Sequence, residues 1–352
     1  MEILTPSQYP EYEAFVAAHP AGGITQSTLW HKVKAGWGHE VVVSRNADGQ
    51  IVGGVSVLIR RFPIIGTSML YSPRGPVCDY HDQEVLADLK KGVDLLAKRY
   101  RAHVWKMDPD LSIQDTAFGD ITKQMGFRRF LGGDGFETIQ ARFNYRLYFQ
   151  GRGEEEILAG FTQMTRRNIR KAQKAGVEIV VAGKEGLDDF ARLMRITGER
   201  DGFATRPKAY FEGMLDALGE HCRLYLAMYQ GQAIAGAITT NYAGKTSYVY
   251  GASDNQHRDV MPNQLMQWEM IRWALETGCT VYDFQGVSGN LSEDNPLYGL
   301  YRFKKGFGGT LDELAGEFDY VYRPICYWLA NRAVDLVEWL RKMKRRLGGW
   351  GH

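Results

Sequence analysis

The chain reads as an α/β protein (α+β in how its strands are ordered), built as two tandem units in which helices flank a mixed central sheet. Three observations predict this. At 352 residues it exceeds the usual size of one domain, and 44% hydrophobic with 12% aromatic residues supplies two cores. Short β-type runs alternate with amphipathic helical runs along the whole length. The order of those runs also recurs in the second half, although the halves share negligible sequence identity.

Taken in order, a helix is expected after Pro6 to about Ala18, and a second from the N-cap Ser27 through Lys34. Val41–Arg45 and Ile51–Arg60 read as paired strands around the Asn46–Gly49 turn. A strand at Met69–Ser72 is broken by Pro73-Arg-Gly-Pro76, and the period of Val85, Leu89 and Leu96 predicts a helix over Glu84–Tyr100. The strand Val104–Asp108 stops at Pro109. A helix over about Ile113–Met125 and a strand at Gln140–Phe149 close this half. The second half opens with a charged helix, Glu154–Ala175, then a strand Val177–Val181 and helices over Leu187–Arg200 and Lys208–Leu218. Strands follow at Arg223–Tyr229, Gln232–Asn241 and Thr246–Gly251, then a helix Asn263–Thr277 and strands at Thr280–Phe284 and Glu317–Tyr322. Glycines and a charge shift near Gly151-Arg-Gly153 place the boundary there, giving units 1–150 and 151–319, with the segment 320–352 packing back on the first. Two such units resemble tandem acyltransferase domains of the GNAT type.

Composition narrows the function. A net charge of +2 argues against bulk polyanion binding, so any basic surface is local. The four cysteines are scattered, with neither a disulfide framework nor a zinc spacing, which suits a reducing cytoplasm. No signal peptide and no run long enough to span a membrane is visible, so a soluble protein is expected. The eight histidines form no metal-binding pattern, and no Ser/His/Asp or Cys/His set stands out. Positioning and electrostatic stabilisation are what remains for chemistry.

The stretch with the most chemistry runs from Tyr282 to Gly309: a short strand, a Gly/Ser/Asn loop ending at Pro296, then an aromatic segment carrying Lys304 and Lys305. It reads as a turn delivering a cation to a reacting centre, or as a surface loop with a snorkelling lysine pair. Trp30 and Lys34, four apart, put an aromatic and a cation on one helix face; the alternative is a core Trp beside a solvated Lys. Arg206 precedes the helix-opening Pro207, with Tyr210 one turn on, which suits a phosphate or else a cap on its own helix. Tyr248 and Tyr250 alternate onto one strand face ahead of small residues, as core or as channel wall. Asp108 ends its strand as a helix cap or as a group that steers an amine. A GNAT-type site for acetyl-CoA needs glycine backbone N–H groups before the long helix, and Gln256–Asn263 has Met261 and Pro262 there instead, so another acyl donor is expected. Arg166, Arg167, Arg170, Lys171 and Lys174 end a helix that starts with acids, so they complement its dipole or face phosphates. Over 325–350, Leu329, Ala333, Leu336, Leu340 and Met343 recur on one helix face before a basic cluster, predicting either packing on the first unit or contact with an anionic membrane.

The combination of Asp283-Phe-Gln-Gly286, Leu300-Tyr-Arg-Phe-Lys-Lys-Gly-Phe307 and Gly316-Glu-Phe-Asp319 resembles the FemABX family of peptidyltransferases. Gln26-Ser…Trp30…Lys34, Lys106-x-Asp108-Pro109 and Arg206-Pro…Tyr210 follow in the family's order. The resemblance implies transfer of an amino acid from aminoacyl-tRNA to the stem-peptide amine of a peptidoglycan precursor, either lipid II or UDP-MurNAc-pentapeptide. It implies no cofactor beyond that co-substrate, and no metal. It makes Lys304 the oxyanion-holding residue with Lys305 its less favoured neighbour. Lys34 with Trp30, and Arg206 with Tyr210, are implied to serve the precursor's diphosphate, Tyr248 and Tyr250 to line the acceptor channel, and Asp108 to act on the amine. No heptad insertion is visible, so the chain resembles the branch without a coiled-coil arm. A cytoplasmic enzyme, peripheral at the inner face of the plasma membrane, would follow. The rivals are a GNAT-like N-acyltransferase with another donor, and a non-catalytic double-GNAT protein binding precursor or tRNA.

Overall fold

The computed structural model describes residues 1–332. The first half runs β1 (Glu2–Ile3), α1 (Tyr9–Ala18), α2 (Thr28–Val33), β2 (Gly38–Arg45), β3 (Ile51–Phe62), β4 (Thr67–Ser72), β5 (Val77–Cys78), α3 (Gln83–Arg99), β6 (Ala102–Met107), α4 (Thr116–Gln124), β7 (Arg128–Phe130) and β8 (Phe143–Tyr148). The second runs α5 (Glu154–Gly160), α6 (Gln163–Ala175), β9 (Glu178–Ala182), α7 (Leu187–Asp201), α8 (Lys208–Leu218), β10 (Cys222–Tyr229), β11 (Gln232–Tyr242), β12 (Lys245–Ser253), α9 (Pro262–Glu276), β13 (Val281–Gly286), α10 (Tyr298–Lys305), β14 (Thr310–Glu313) and β15 (Glu317–Val321).

One sheet has the order β1-β2-β3-β4-β6-β15-β7, with β5 against β3; the other has β14-β8-β13-β12-β11-β10-β9. Each is antiparallel except at one place, β4 with β6 and β12 with β13, where a helix carries the chain over to a parallel neighbour. That helix is α3 in the first sheet and α9 in the second. The Asp82 carboxylate caps α3 by accepting from the N–H groups of Glu84 and Val85. The helix then buries Val85, Leu86, Leu89, Val93 and Leu96. It lies close because a Cβ at Gly53 would meet Val85 at 2.4 Å, and one at Gly92 would meet Val42 at 2.3 Å. Pro262 opens α9, where a missing N–H costs nothing.

Three sequence expectations need correction here. The strand expected to close the first half, β8, lies in the second sheet, paired with β13 and β14. Conversely β15, placed with the second unit, pairs with β6 and β7 in the first sheet, so the chain returns at Glu317 rather than after Tyr320. A strand's own pattern carries its burial but not its partner, so the exchange has no local signature. The helix expected over Glu154–Ala175 is broken at Phe161-Thr162, where Thr162 leaves the helical conformation and its side chain accepts from Thr165 N–H, restarting the helix as α6.

Each sheet has its own core, and a third cluster joins them. Trp30, Leu58, Met69 and Val104 of the first half pack with Leu187, Phe190, Phe211 and Ile238 of the second. Residues 324–332 are helical and stay with the first sheet: Tyr327 donates to Asp319 at 2.7 Å. The rest of the amphipathic segment predicted over 325–350 lies outside the described residues.

Candidate active site

A cleft of about 770 Å³ opens between the sheets. It is floored by β3 and β4 on one side and β11, β12 and β13 on the other, with α2 and α8 at its walls. Ser27 caps α2 by accepting from Leu29 N–H at 3.0 Å, and the six-residue helix ends with Lys34 turned back over it. The Lys34 ammonium sits 4.9 Å from the Trp30 ring centre and 5.5 Å from that of Tyr210, and donates to the Tyr210 hydroxyl at 3.2 Å. Arg206, just ahead of α8, stacks over the other part of this cage, 5.2 Å from the Tyr210 ring. Burial lowers the Lys34 pKa, and the nearby Arg206 cation adds to the shift. Two cations held this close by aromatic faces, both lining the cleft, form a socket for a dense anion. The structure therefore brings together Trp30, Lys34, Arg206 and Tyr210, across the two halves.

Tyr250 joins them and Tyr248 does not. Their expected common face is lost to a β-bulge: Ile238 pairs with Tyr250 and Thr239 with Tyr248, leaving Val249 as the extra residue. Tyr250 reaches Tyr210, hydroxyl to hydroxyl, at 3.4 Å and lines the cleft. Tyr248 turns into the core of the second sheet, where Gly251 leaves room for its hydroxyl.

The opposite end of the cleft is ionic. Arg146 on β8 meets Asp110 at 2.7 Å, Asp283 at 2.9 Å and Asp312 at 3.7 Å, and Lys245 meets Asp110 at 3.0 Å. Burial works against the charges of Asp110 and Arg146, but the pairing prevails. Asp110 is held far below the usual carboxylate range by Arg146 and Lys245, and Arg146 is held well above its ordinary value by Asp110 and Asp283. Asp283 also accepts from Gln285 N–H at 2.6 Å, stabilising that residue at φ 63° at the end of β13. The bent backbone turns two carbonyls toward α10, and the Lys304 ammonium donates to Gln285 O at 3.1 Å and Gly286 O at 2.7 Å. Lys304 is 3% exposed, and burial pushes its pKa down to about 7, with Asp283 opposing. An ammonium has three donors, and two are taken, so one remains for an incoming oxygen. Lys304 thus lies immediately behind Gln285, itself a cleft residue. Lys305 points away, exposed, with its ammonium 5.5 Å from the Tyr301 ring.

Asp108 is buried behind the cleft wall rather than in it. Its two oxygens accept from the Tyr71 hydroxyl and the Arg74 N–H, both at 2.6 Å, and Tyr71 and Arg74 line the cleft. Burial raises its pKa to about 6. Its geometry is that of a carboxylate holding a tyrosine and an arginine loop in place. Sequence reasoning missed Arg74, Asp110, Arg146 and Lys245. The available signal was Arg146 itself, a charge alternating inward in the apolar strand Phe143–Tyr148, which demands buried partners.

Met261 takes the left-handed conformation with Pro262 following, so the start of α9 offers no glycine cradle for a pyrophosphate. Two tandem units of this topology define an acyltransferase fold of the GNAT type. At 12% identity and TM-score 0.56, a tandem GNAT protein from the clavulanic acid biosynthesis pathway shares that fold over 91% of this chain and 98% of its own. The chain belongs to the FemAB family, whose pattern matches residues 7–231 and 228–334. A crystal structure of FemX superposes with TM-score 0.86 at 29% identity, covering 94% of this chain and 99% of that one. The lipid II:glycine glycyltransferase of Staphylococcus haemolyticus is 30% identical over 414 aligned positions, 96% of this chain and 98% of its own. That of Staphylococcus aureus is 30% identical over 415 positions with the same coverage. Since 414 positions exceed this chain's 352 residues by 62, these relatives carry at least that many residues for which this chain has no counterpart. By family the chain is an aminoacyltransferase.

Proposed function

We propose that the protein transfers an amino acid from aminoacyl-tRNA to the side-chain amine of the stem peptide in a peptidoglycan precursor, lipid II or UDP-MurNAc-pentapeptide, starting or extending an interpeptide bridge. The observation that carries this reading is the two-ended cleft. A pair of aromatic-held cations, Lys34 and Arg206, lies at one end, and the half-discharged Lys304 stands behind Gln285 at the other. The precursor's diphosphate suits the first end, and Tyr210 and Tyr250 wall the path beside it. At the second end the amine attacks the ester carbonyl of the donor. The C–N bond forms, the carbonyl oxygen becomes an oxyanion facing the free donor of Lys304, and the tRNA 3′ oxygen leaves with the electron pair and a proton lost by the amine. Asp108 acts through Tyr71 and Arg74. Lys305 and the exposed cations of α6 are offered for the donor's phosphates. An ester is already activated, so no further cofactor is needed. The start of α9 speaks against an acyl-CoA donor.

The test incubates the purified protein with a mixture of charged tRNAs and both precursor forms, and reads products by mass. A gain of one or more small amino acids on the stem peptide is expected, with the precursor that gains them naming the acceptor. Precursor binding without any gain would replace this reading with a binding module.

A further inference from the structure

The β3–β4 hairpin reads Arg60-Arg-Phe-Pro-Ile-Ile-Gly66, and its tip is not built for water. Ile64 is fully exposed and Pro63 is exposed beside it. A tight turn closes the tip, with Ile65 and Gly66 N–H donating to the carbonyls of Phe62 and Pro63. A second apolar surface rises from the same end of the first sheet. The ends of β3 and β15 and the starts of β4 and β6 meet there, since Phe62 pairs with Thr67, Ser68 with Ala102 and Val321 with Val104. The helical segment 324–332 begins where β15 stops, and it exposes Ile325 (76%), Trp328 (58%) and Leu329, spaced as one helix face. His103 links the two, 5.5 Å from the Phe62 ring and 6.5 Å from that of Tyr327.

The unpaired charge around this edge is of one sign. Arg60, Arg61, Arg101 and Arg323 have no ion-pair partner among the described residues, and Arg332 stacks only on Trp328. The neighbouring acids are already engaged, Glu40 with Arg99 and Tyr100, and Asp319 with Lys106 and Tyr327. Apolar side chains at a tip and on a helix face, ringed by unpaired arginines, match the interface of an anionic bilayer: the apolar groups enter the headgroup boundary while the guanidinium groups meet lipid phosphates.

We propose that the β3–β4 hairpin tip, with the Ile325/Trp328/Leu329 face, is a docking surface for an anionic membrane. The arrangement also sets the direction of the cleft. Arg60 lies over both Trp37 and Phe62, and Arg60 and Trp37 line the cleft, so its mouth opens toward the docked edge. In that last respect the inference rests on the transferase reading, since it would give a lipid-linked acceptor a direct entry.

The test uses the full chain with vesicles of neutral lipid alone and of neutral lipid carrying about a third anionic lipid. Binding to the anionic vesicles is expected, weakening with salt. Ile64→Glu should weaken it roughly tenfold or more, as expected for losing a buried isoleucine. Arg61→Glu should weaken it at least about fivefold. An environment-sensitive dye on Ile64→Cys should shift to the blue on anionic vesicles only. Turnover of the nucleotide-linked acceptor should stay unchanged in Ile64→Glu and Arg61→Glu, because neither residue lines the cleft. Undiminished vesicle binding by Ile64→Glu, or a dye signal that ignores the vesicles, would overturn the docking surface. A protein that docks as described but turns over no acceptor would leave the surface standing and remove the transferase reading.

Discussion

At Lys304 two effects compete. Burial favours the neutral amine, while Asp283 favours the ammonium, and burial wins by enough to place the pKa at about 7. A lysine is cationic below its pKa, so an ammonium needed for the oxyanion is lost as pH rises through that value. The transfer rate should therefore fall on the alkaline side with a midpoint near pH 7, read from single-turnover rates against pH. Asp283→Asn removes the opposing anion and should move that limb to lower pH; a limb that stays put or rises would exclude the coupling. Lys304→Met should lower kcat by roughly a hundredfold to a thousandfold with little change in precursor binding. Lys304 was legible in the sequence because a lysine pair after an aromatic run is unusual and falls in a family pattern. Arg146 and Asp110 were not, because their meaning lies in each other, and 36 residues separate them.

Elements explain where the reading of the cleft succeeded and where it slipped. α2 and α8 were visible from a serine cap and an Arg-Pro start, but Lys34 lies just past the end of α2 and Arg206 ahead of α8, so neither pair is held by helical i, i+4 spacing. β12 misled because strict alternation assumes an unbroken ladder, and one extra residue at Val249 sends the two tyrosines to opposite faces. Opposite outcomes are expected of them. Tyr250→Ala should raise the KM for the precursor roughly tenfold with little loss of stability. Tyr248→Ala should cost about 3 kcal/mol of stability, measured by denaturant unfolding, with KM for the folded fraction unchanged. Equal KM effects would mean that both tyrosines reach substrate. The break between α5 and α6 has a similar cause: a threonine in a polar run reads as helix until its hydroxyl is seen to cap the next one.

For the whole molecule, the repeat of element order was readable and the ownership of the outer strands was not. Pairing partners are long-range facts. A division near residue 150 leaves β8 without β13 and β14 and leaves β6 without β15. Fragments cut there should be insoluble or unfolded when expressed singly, and the intact chain should unfold in one transition by circular dichroism, since the shared cluster of Trp30, Leu58, Phe190 and Phe211 ties the sheets together. Two stable halves would disprove that reading.

The exchanged strands also impose an order in time. On the ribosome β6 emerges with its neighbour still about two hundred residues away, because β15 starts only at Glu317. At ordinary elongation rates that is a wait of roughly ten to forty seconds, during which the first sheet has an open, hydrogen-bonding edge. The second sheet has all of its central strands before then, β8 among them. The half that begins first is thus finished last, and the nascent chain is most exposed to misassembly in the interval before its final strand is made.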